Sequence, residues 1–189
     1  MSYVNEWQAA VERTMRFELA VPPHQIDTAR RWFDNKALNE FPFIIRDSLG
    51  DLGFEDVVAQ CLSIHYRLVP VIEEWLGCPA LFTLGWVDTG TESGMFRFDE
   101  VFIAEKLKSG HSGGSVNMHA WLTLPSMEII DVSLATSIGV FQKRPEMYGM
   151  AITKYADELR GMAYKPMLVG EDFLRKPGLL LEGASMEIF

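Results

Sequence analysis

Apolar and polar positions alternate along this chain in two different periods. Between Asn5 and Met15 the apolar residues Trp7, Ala10, Val11 and Met15 fall at helical intervals and predict an amphipathic helix. After Pro22 and Pro23, a second stripe of Ile26, Ala29, Trp32, Phe33 and Ala37, with Asp27 near its start, predicts a helix over 24–38. From Phe54 the three-four spacing of Val57, Val58, Cys61, Leu62, His65, Leu68, Val69, Ile72, Trp75 and Leu76 predicts a helix of about five turns. Pro70 kinks or divides it, Gly77 ends it, and the spacing from Val57 sets Cys61 inside the helix rather than at its start.

Beyond Gly77 the period shortens. "PALFTLGWV", bounded by Pro79 and "DTGTESG", reads as a buried strand, and "FRFDEVFIA" at 96–104 as another. "KSGHSGGS" is the segment richest in glycine and serine and leads into "VNMHAWLTL" and "MEIIDVSL", two apolar runs flanking Pro125 and Ser126, which predict an antiparallel hairpin. A closing helix is expected from near Pro145, at its first turn, to about Arg160, with Gly161 after its end. "KPGLLLEGASMEIF" reads equally as an edge strand or as a tail on the core. The expected fold is α+β, with N-terminal helices packed on a central, mainly antiparallel sheet, and residues 1–189 forming a single domain.

Charge narrows the classes of partner. Seventeen basic against 26 acidic residues leave a net charge of −9 and no basic patch, so neither nucleic acid nor an anionic membrane is an expected partner. The first twenty residues interleave charges with apolar positions, unlike a signal peptide, and the expected location is the cytoplasm. There Cys61 and Cys78 are expected as free thiols, Cys78 packing at a turn. No CxxC or HxxxH spacing is present, so no metal site is expected.

The hairpin carries candidate chemistry. A three-residue loop at 124–126 or 125–127 opposes His119 to Asp131 or to Ser133, and either register sets His119 and Asp131 on one face; a two-residue loop separates them. Directly opposite residues stand about 5 Å apart between Cβ atoms, within reach of a carboxylate-to-imidazole hydrogen bond. An aspartate so held fixes the histidine tautomer and stabilises the imidazolium, and cysteine, with a thiol pKa near about 8.5, is the natural nucleophile for such a base.

Three blocks in this order carry a resemblance: "CLSIHYRLVPVIEEWLGCPALFTLGWV", "NMHAWLTL" and "EIIDVSL". Together, over about residues 57–136, they resemble the transglutaminase-like branch of the papain-like cysteine fold, in which a nucleophilic cysteine opens a helix packed on a sheet bearing histidine and aspartate. The resemblance implies Cys61 as nucleophile, His119 as general base and acid, Asp131 as the orienting residue, and the Cys61 backbone N–H as one oxyanion donor. Gln60 is a candidate for a second oxyanion donor, and Trp121, two residues after His119, for shielding the His–Asp pair from water. His65, one turn after Cys61, reads as a partly buried helix histidine.

The implied activity is thiol-dependent acyl chemistry on a peptide, protein or small acyl substrate, without a cofactor. Water as acceptor makes a peptidase, amidase or deamidase; an amine makes an acyltransferase such as a transglutaminase. The flanks Gln60 and Leu62 differ from the family's small residue before the cysteine and aromatic after it, which favours the alternative of a catalytically inactive member of the same fold acting in binding or assembly.

Overall fold

The computed structural model describes residues 2–58, 60–92, 94–113 and 116–179. The protein is α+β, and the described residues form two compact units: those within 1–22, 83–119 and 161–179 in the first, and those within 23–82 and 120–160 in the second. No helix among the described residues is long and apolar enough to cross a membrane.

In the first unit, helix α1 (Tyr3–Arg16) buries Tyr3, Trp7, Ala10, Val11 and Thr14; of the expected stripe, Met15 is exposed, and Tyr3 and Thr14 are buried in addition. The face packs on β5 (Ala163–Val169), where the Thr14 hydroxyl donates to Ala10 O and accepts from Val169 N. Strand β1 (Leu81–Asp88) runs antiparallel to β5. The register slips between Leu84 and Gly85, opposite the stretch where Pro166 has no N–H to give, and leaves Met167 as the extra residue. Arg13 Nη1 donates to the Met167 carbonyl at 3.0 Å, so the bulge has a partner for its carbonyl.

The expected strand over 96–104 is instead helix α5 (Glu100–Ser109). Asp99 decides this: its carboxylate accepts from Phe102 N at 2.9 Å, an N-cap that supplies the first turn with the partner a strand would not need. Arg13 and Arg16 of α1 grip Glu100, and the hydrogen bond from Arg13, then that from Arg16, holds its carboxyl below the usual range. Because that pKa is depressed on folding, the small contribution of this exposed cluster is present near neutrality and is lost as pH falls through the folded value.

In the second unit the expected helix over 24–38 is absent. Its backbone donors go elsewhere: Asp27 N to Pro125 O, and Trp32 N and Phe33 N to the Glu128 carboxylate. Ala29 is exposed, so the stripe was not a face. The helix begins one step later, as α2 (Asn35–Leu49), capped by Asp34, whose carboxylate accepts from Ala37 N at 2.8 Å. Asp34→Ala is therefore expected to lower stability by about 1 kcal/mol, read from denaturant midpoints. Phe33, Phe41 and Trp75 form an aromatic cluster where α2 packs on the helix that carries Trp75.

The predicted long helix is divided, not at Pro70 but before Cys61, into α3 (Phe54–Val57) and α4 (Cys61–Leu76). Pro70 lies within α4, and Gly77 ends it in the left-handed conformation, as expected. Strands β2 (His119–Thr123) and β3 (Glu128–Asp131) form the predicted hairpin. Leu122 opposes Ile130 and Thr123 opposes Ile129, so the loop is Pro125 to Met127, the second of the two three-residue options. Met127 N donates to Leu124 O at 2.8 Å and Met127 takes φ 68°, the left-handed residue that closes such loops.

The closing helix over 145–160 is also corrected. Pro145 starts only a single 3-10 turn (Pro145–Met147), and Ile152–Tyr155, rich in residues that suit a pleated strand, pairs antiparallel with β3 as β4. The helix of this region lies earlier, at α6 (Leu134–Gln142), which packs on the 145–147 turn. Gly139 is required there, since a Cβ would come within 2.8 Å of Arg144 O. A short α7 (Asp172–Arg175) belongs to the first unit, and the tail from residue 180 lies outside the described residues.

Candidate functional site

Cys61 is the first residue of α4, with Gln60 as the N-cap and Val58 already extended (φ −63°, ψ 128°). The break puts Cys61 at the end of the helix where backbone N–H groups lack intrahelical partners. Cys61 is 8% exposed. Gln60 is exposed, and the Ser63 hydroxyl lies 3.1 Å from both its backbone carbonyl and its Oε1. With Oε1 accepting, the amide presents its N–H₂ end as a donor.

Asp131 ends β3, wholly buried, opposite Ile152 of β4. Its Oδ1 accepts from Ser133 N and Leu134 N, both at 2.9 Å, and from the Ser133 hydroxyl at 3.2 Å. Three donors on one oxygen cap the start of α6, an office that a sequence reading confined to the hairpin did not assign to this residue.

His65 links these two candidates. Its ring is wholly buried rather than partly so; Nδ1 is 2.8 Å from Cys61 O and Nε2 is 3.1 Å from Val132 N. An amide N–H can only donate and a carbonyl can only accept, so Nδ1 carries the proton and Nε2 is the acceptor. Asp131 Oδ1 stands 3.5 Å from the same Nε2. His65 thus ties the first residue of α4 to the end of β3. The available signals were its i+4 spacing from Cys61 and its place on the buried stripe.

His119 is the first residue of β2, in the first unit, whereas Cys61 and Asp131 are in the second. It is 1% exposed. The half-buried Phe96 stacks on the imidazole with ring centroids 5.1 Å apart and planes 19° apart, and Tyr164 of β5 lies at 6.4 Å. Phe96 has φ 62°, a conformation that costs a bulky residue about 1–3 kcal/mol and persists only where neighbours impose it. They do so on both sides. Met95 exchanges two backbone hydrogen bonds with Val87, and the Arg97 carbonyl accepts from Asn117 Nδ2 at 3.0 Å. Trp121 belongs to the second unit and is wholly buried.

Neither cysteine is in a disulfide, and the two differ in environment. Burial, first of all, pushes the Cys78 thiol up to about 12; Arg30 opposes this and the Glu128 and Glu73 carboxylates add to it. Cys78 is accordingly protonated and unreactive at neutral pH. Among the described residues no group of three His, Cys, Asp or Glu side chains is arranged to hold a metal ion.

The fold defines the class as α+β with antiparallel strand pairing. Comparison with protein-family models, with curated proteins and with solved structures finds no match.

Proposed function

We propose that this chain performs thiol-dependent acyl chemistry on an amide or ester through Cys61, His119 and Asp131, on a papain-like or transglutaminase-like core. Cys61 attacks the carbonyl carbon, His119 takes the thiol proton and returns it to the leaving group, and Asp131 orients the imidazole. The Cys61 backbone N–H and the Gln60 amide serve the developing oxyanion, and Trp121 keeps water from the imidazole. The substrate is a peptide, protein or small acyl compound, and the thioester passes to water or to an amine.

The observation that carries this reading is the break in the helix before Cys61. An apolar stripe beginning at Val57 argues for a thiol in mid-helix, the position of an inert core cysteine, whereas Cys61 is the first residue of α4, where backbone N–H groups lack intrahelical partners. The second reading, an inactive relative used in binding or assembly, draws on the capping of α6 by Asp131, which gives that carboxylate a purely structural office.

Alkylation by iodoacetamide at pH 6.5 separates the two. An unperturbed thiol is about one per cent ionised there, so an activated Cys61 is expected to react up to about a hundredfold faster than a model thiol. His119→Ala is expected to remove most of that gain, and Cys61→Ala supplies the blank. Cys78, pushed up to about 12, stays silent at this pH. A Cys61 no faster than a model thiol leaves the binding or assembly reading in place.

A further inference from the structure

We infer that Phe96 is a positioning residue for His119, held in a left-handed conformation so that its ring covers and fixes the imidazole. The inference deepens the acyl-transfer reading but uses contacts within the first unit alone. Four observations converge on one ring. Phe96 is stacked on His119 at 5.1 Å and 19°. It is half-buried while His119 is 1% exposed, so Phe96 forms a solvent-facing layer over the imidazole. Its φ of 62° is one that a β-carbon disfavours, which a residue serving only to fill space has no reason to adopt.

The clamps are the fourth observation. The Val87–Met95 bridge holds the residue before Phe96, and Asn117, two positions ahead of His119, holds the carbonyl of the residue after it. Trp86 packs on the same stretch: Arg97 lies over its ring at 4.9 Å, and Gly94 packs so closely that a Cβ would come 2.7 Å from it. The Asn117 bond joins the loop to the strand that carries His119, so the ring plane of Phe96 and the start of β2 are set together. An imidazole that must alternate between accepting and donating a proton gains from a flat partner that limits its rotation without competing for either nitrogen.

The test measures His119 and Cys61 separately. Carbethoxylation by diethylpyrocarbonate, followed by peptide mass spectrometry, is expected to reach His119 about tenfold faster in Phe96→Ala, once the cover is gone. Phe96→Tyr is expected to stay within about twofold of wild type, with the exposed His24 unchanged throughout as internal reference. The His119 ring-proton resonances are expected to lose the upfield shift of a stacked ring in Phe96→Ala and to keep it in Phe96→Tyr.

Cys61 alkylation at pH 6.5 is expected to slow in Phe96→Ala and to recover in Phe96→Tyr. An unchanged His119 rate in a folded Phe96→Ala protein overturns the inference, as does an uncovered His119 with no slowing of an activated Cys61. Should Phe96→Ala fail to fold, Gly94→Ala, which displaces the same loop against Trp86, is held to the same outcomes. Where wild-type Cys61 is itself unreactive, the acyl reading has already failed, and the carbethoxylation and resonance measurements alone decide the hold of Phe96 on His119.

Discussion

Asp131→Ala is expected to lower stability by about 3 kcal/mol, a fall of about 10 °C in Tm for a chain of this size. The carboxylate is wholly buried, and its Oδ1 is the acceptor for Ser133 N, Leu134 N and the Ser133 hydroxyl. Alanine leaves two buried backbone donors at the start of α6 without that partner and removes a negative charge from the positive end of the helix dipole. Asp131→Asn retains an oxygen for the two amides and should lose only about 1–2 kcal/mol. In the proposed triad the same asparagine no longer enforces the tautomer that the base needs, so alkylation of Cys61 at pH 6.5 is expected to fall about tenfold or more. Differential scanning calorimetry and alkylation rates on the one variant therefore separate the two offices. Asparagine with a wild-type alkylation rate would leave Asp131 as a helix cap alone.

How far the sequence could be read follows from where its residues find their hydrogen-bond partners. The hairpin was legible because its signals are local: two apolar runs flanking Pro125 and Ser126 predict the turn without help from the rest of the chain, and the pairing of Leu122 with Ile130 selects one of the two registers they leave open. Helix α1 and strand β1 were legible for the same reason. The segment 24–34 was not, because the amides of Asp27, Trp32 and Phe33 donate to Pro125 and Glu128, about a hundred positions away, and no periodicity reports that. Residues 96–104 misled because Phe96 and Phe98 alternate as in a strand, while the deciding feature is a single capping carboxylate at Asp99. For α2 and α6, Pro42 and Gly139 interrupt the usual helical signals, and packing on α4 and on the 145–147 turn outweighs them.

The site divides in the same way. Residue types and chain order singled out Cys61, His119 and Asp131, but the position of Cys61 at a helix start depends on a break that its apolar stripe conceals. His65 was read only as a partly buried helix histidine and Phe96 only as part of a strand, because the ring contacts of each are to residues distant in sequence, Val132 after β3 for one and His119 at the start of β2 for the other.

Glu128 is the residue for which a similar argument gives the largest expected loss of stability. It is a wholly buried carboxylate on β3 that accepts from Trp32 N at 2.7 Å, Phe33 N at 3.3 Å and the Ser126 hydroxyl at 2.8 Å, with Arg31 Nε at 3.5 Å. A buried charge with this many partners is tolerated only because each one offsets its desolvation, and removing it strands the donors in turn. Glu128→Ala is expected to cost about 3–5 kcal/mol. Glu128→Gln is expected to cost about 2 kcal/mol, since its amide N–H₂ meets donors where a second oxygen stood. Most of the Arg31 side of the pair is recoverable, because that guanidinium is half-exposed and water replaces the carboxylate there. The loss should also be local. Trp32 and Phe33 hold the segment 24–34 against the hairpin through this one carboxylate, together with Asp27 N to Pro125 O and the Tyr155 hydroxyl to Arg30 O. In Glu128→Gln, amide hydrogen exchange at residues 32 and 33 is therefore expected to lose protection well before the paired amides of β3 and β4. Equal loss of protection at all of these positions would mean that the segment and the hairpin open as one unit, and that Glu128 supports the core rather than a separable strap.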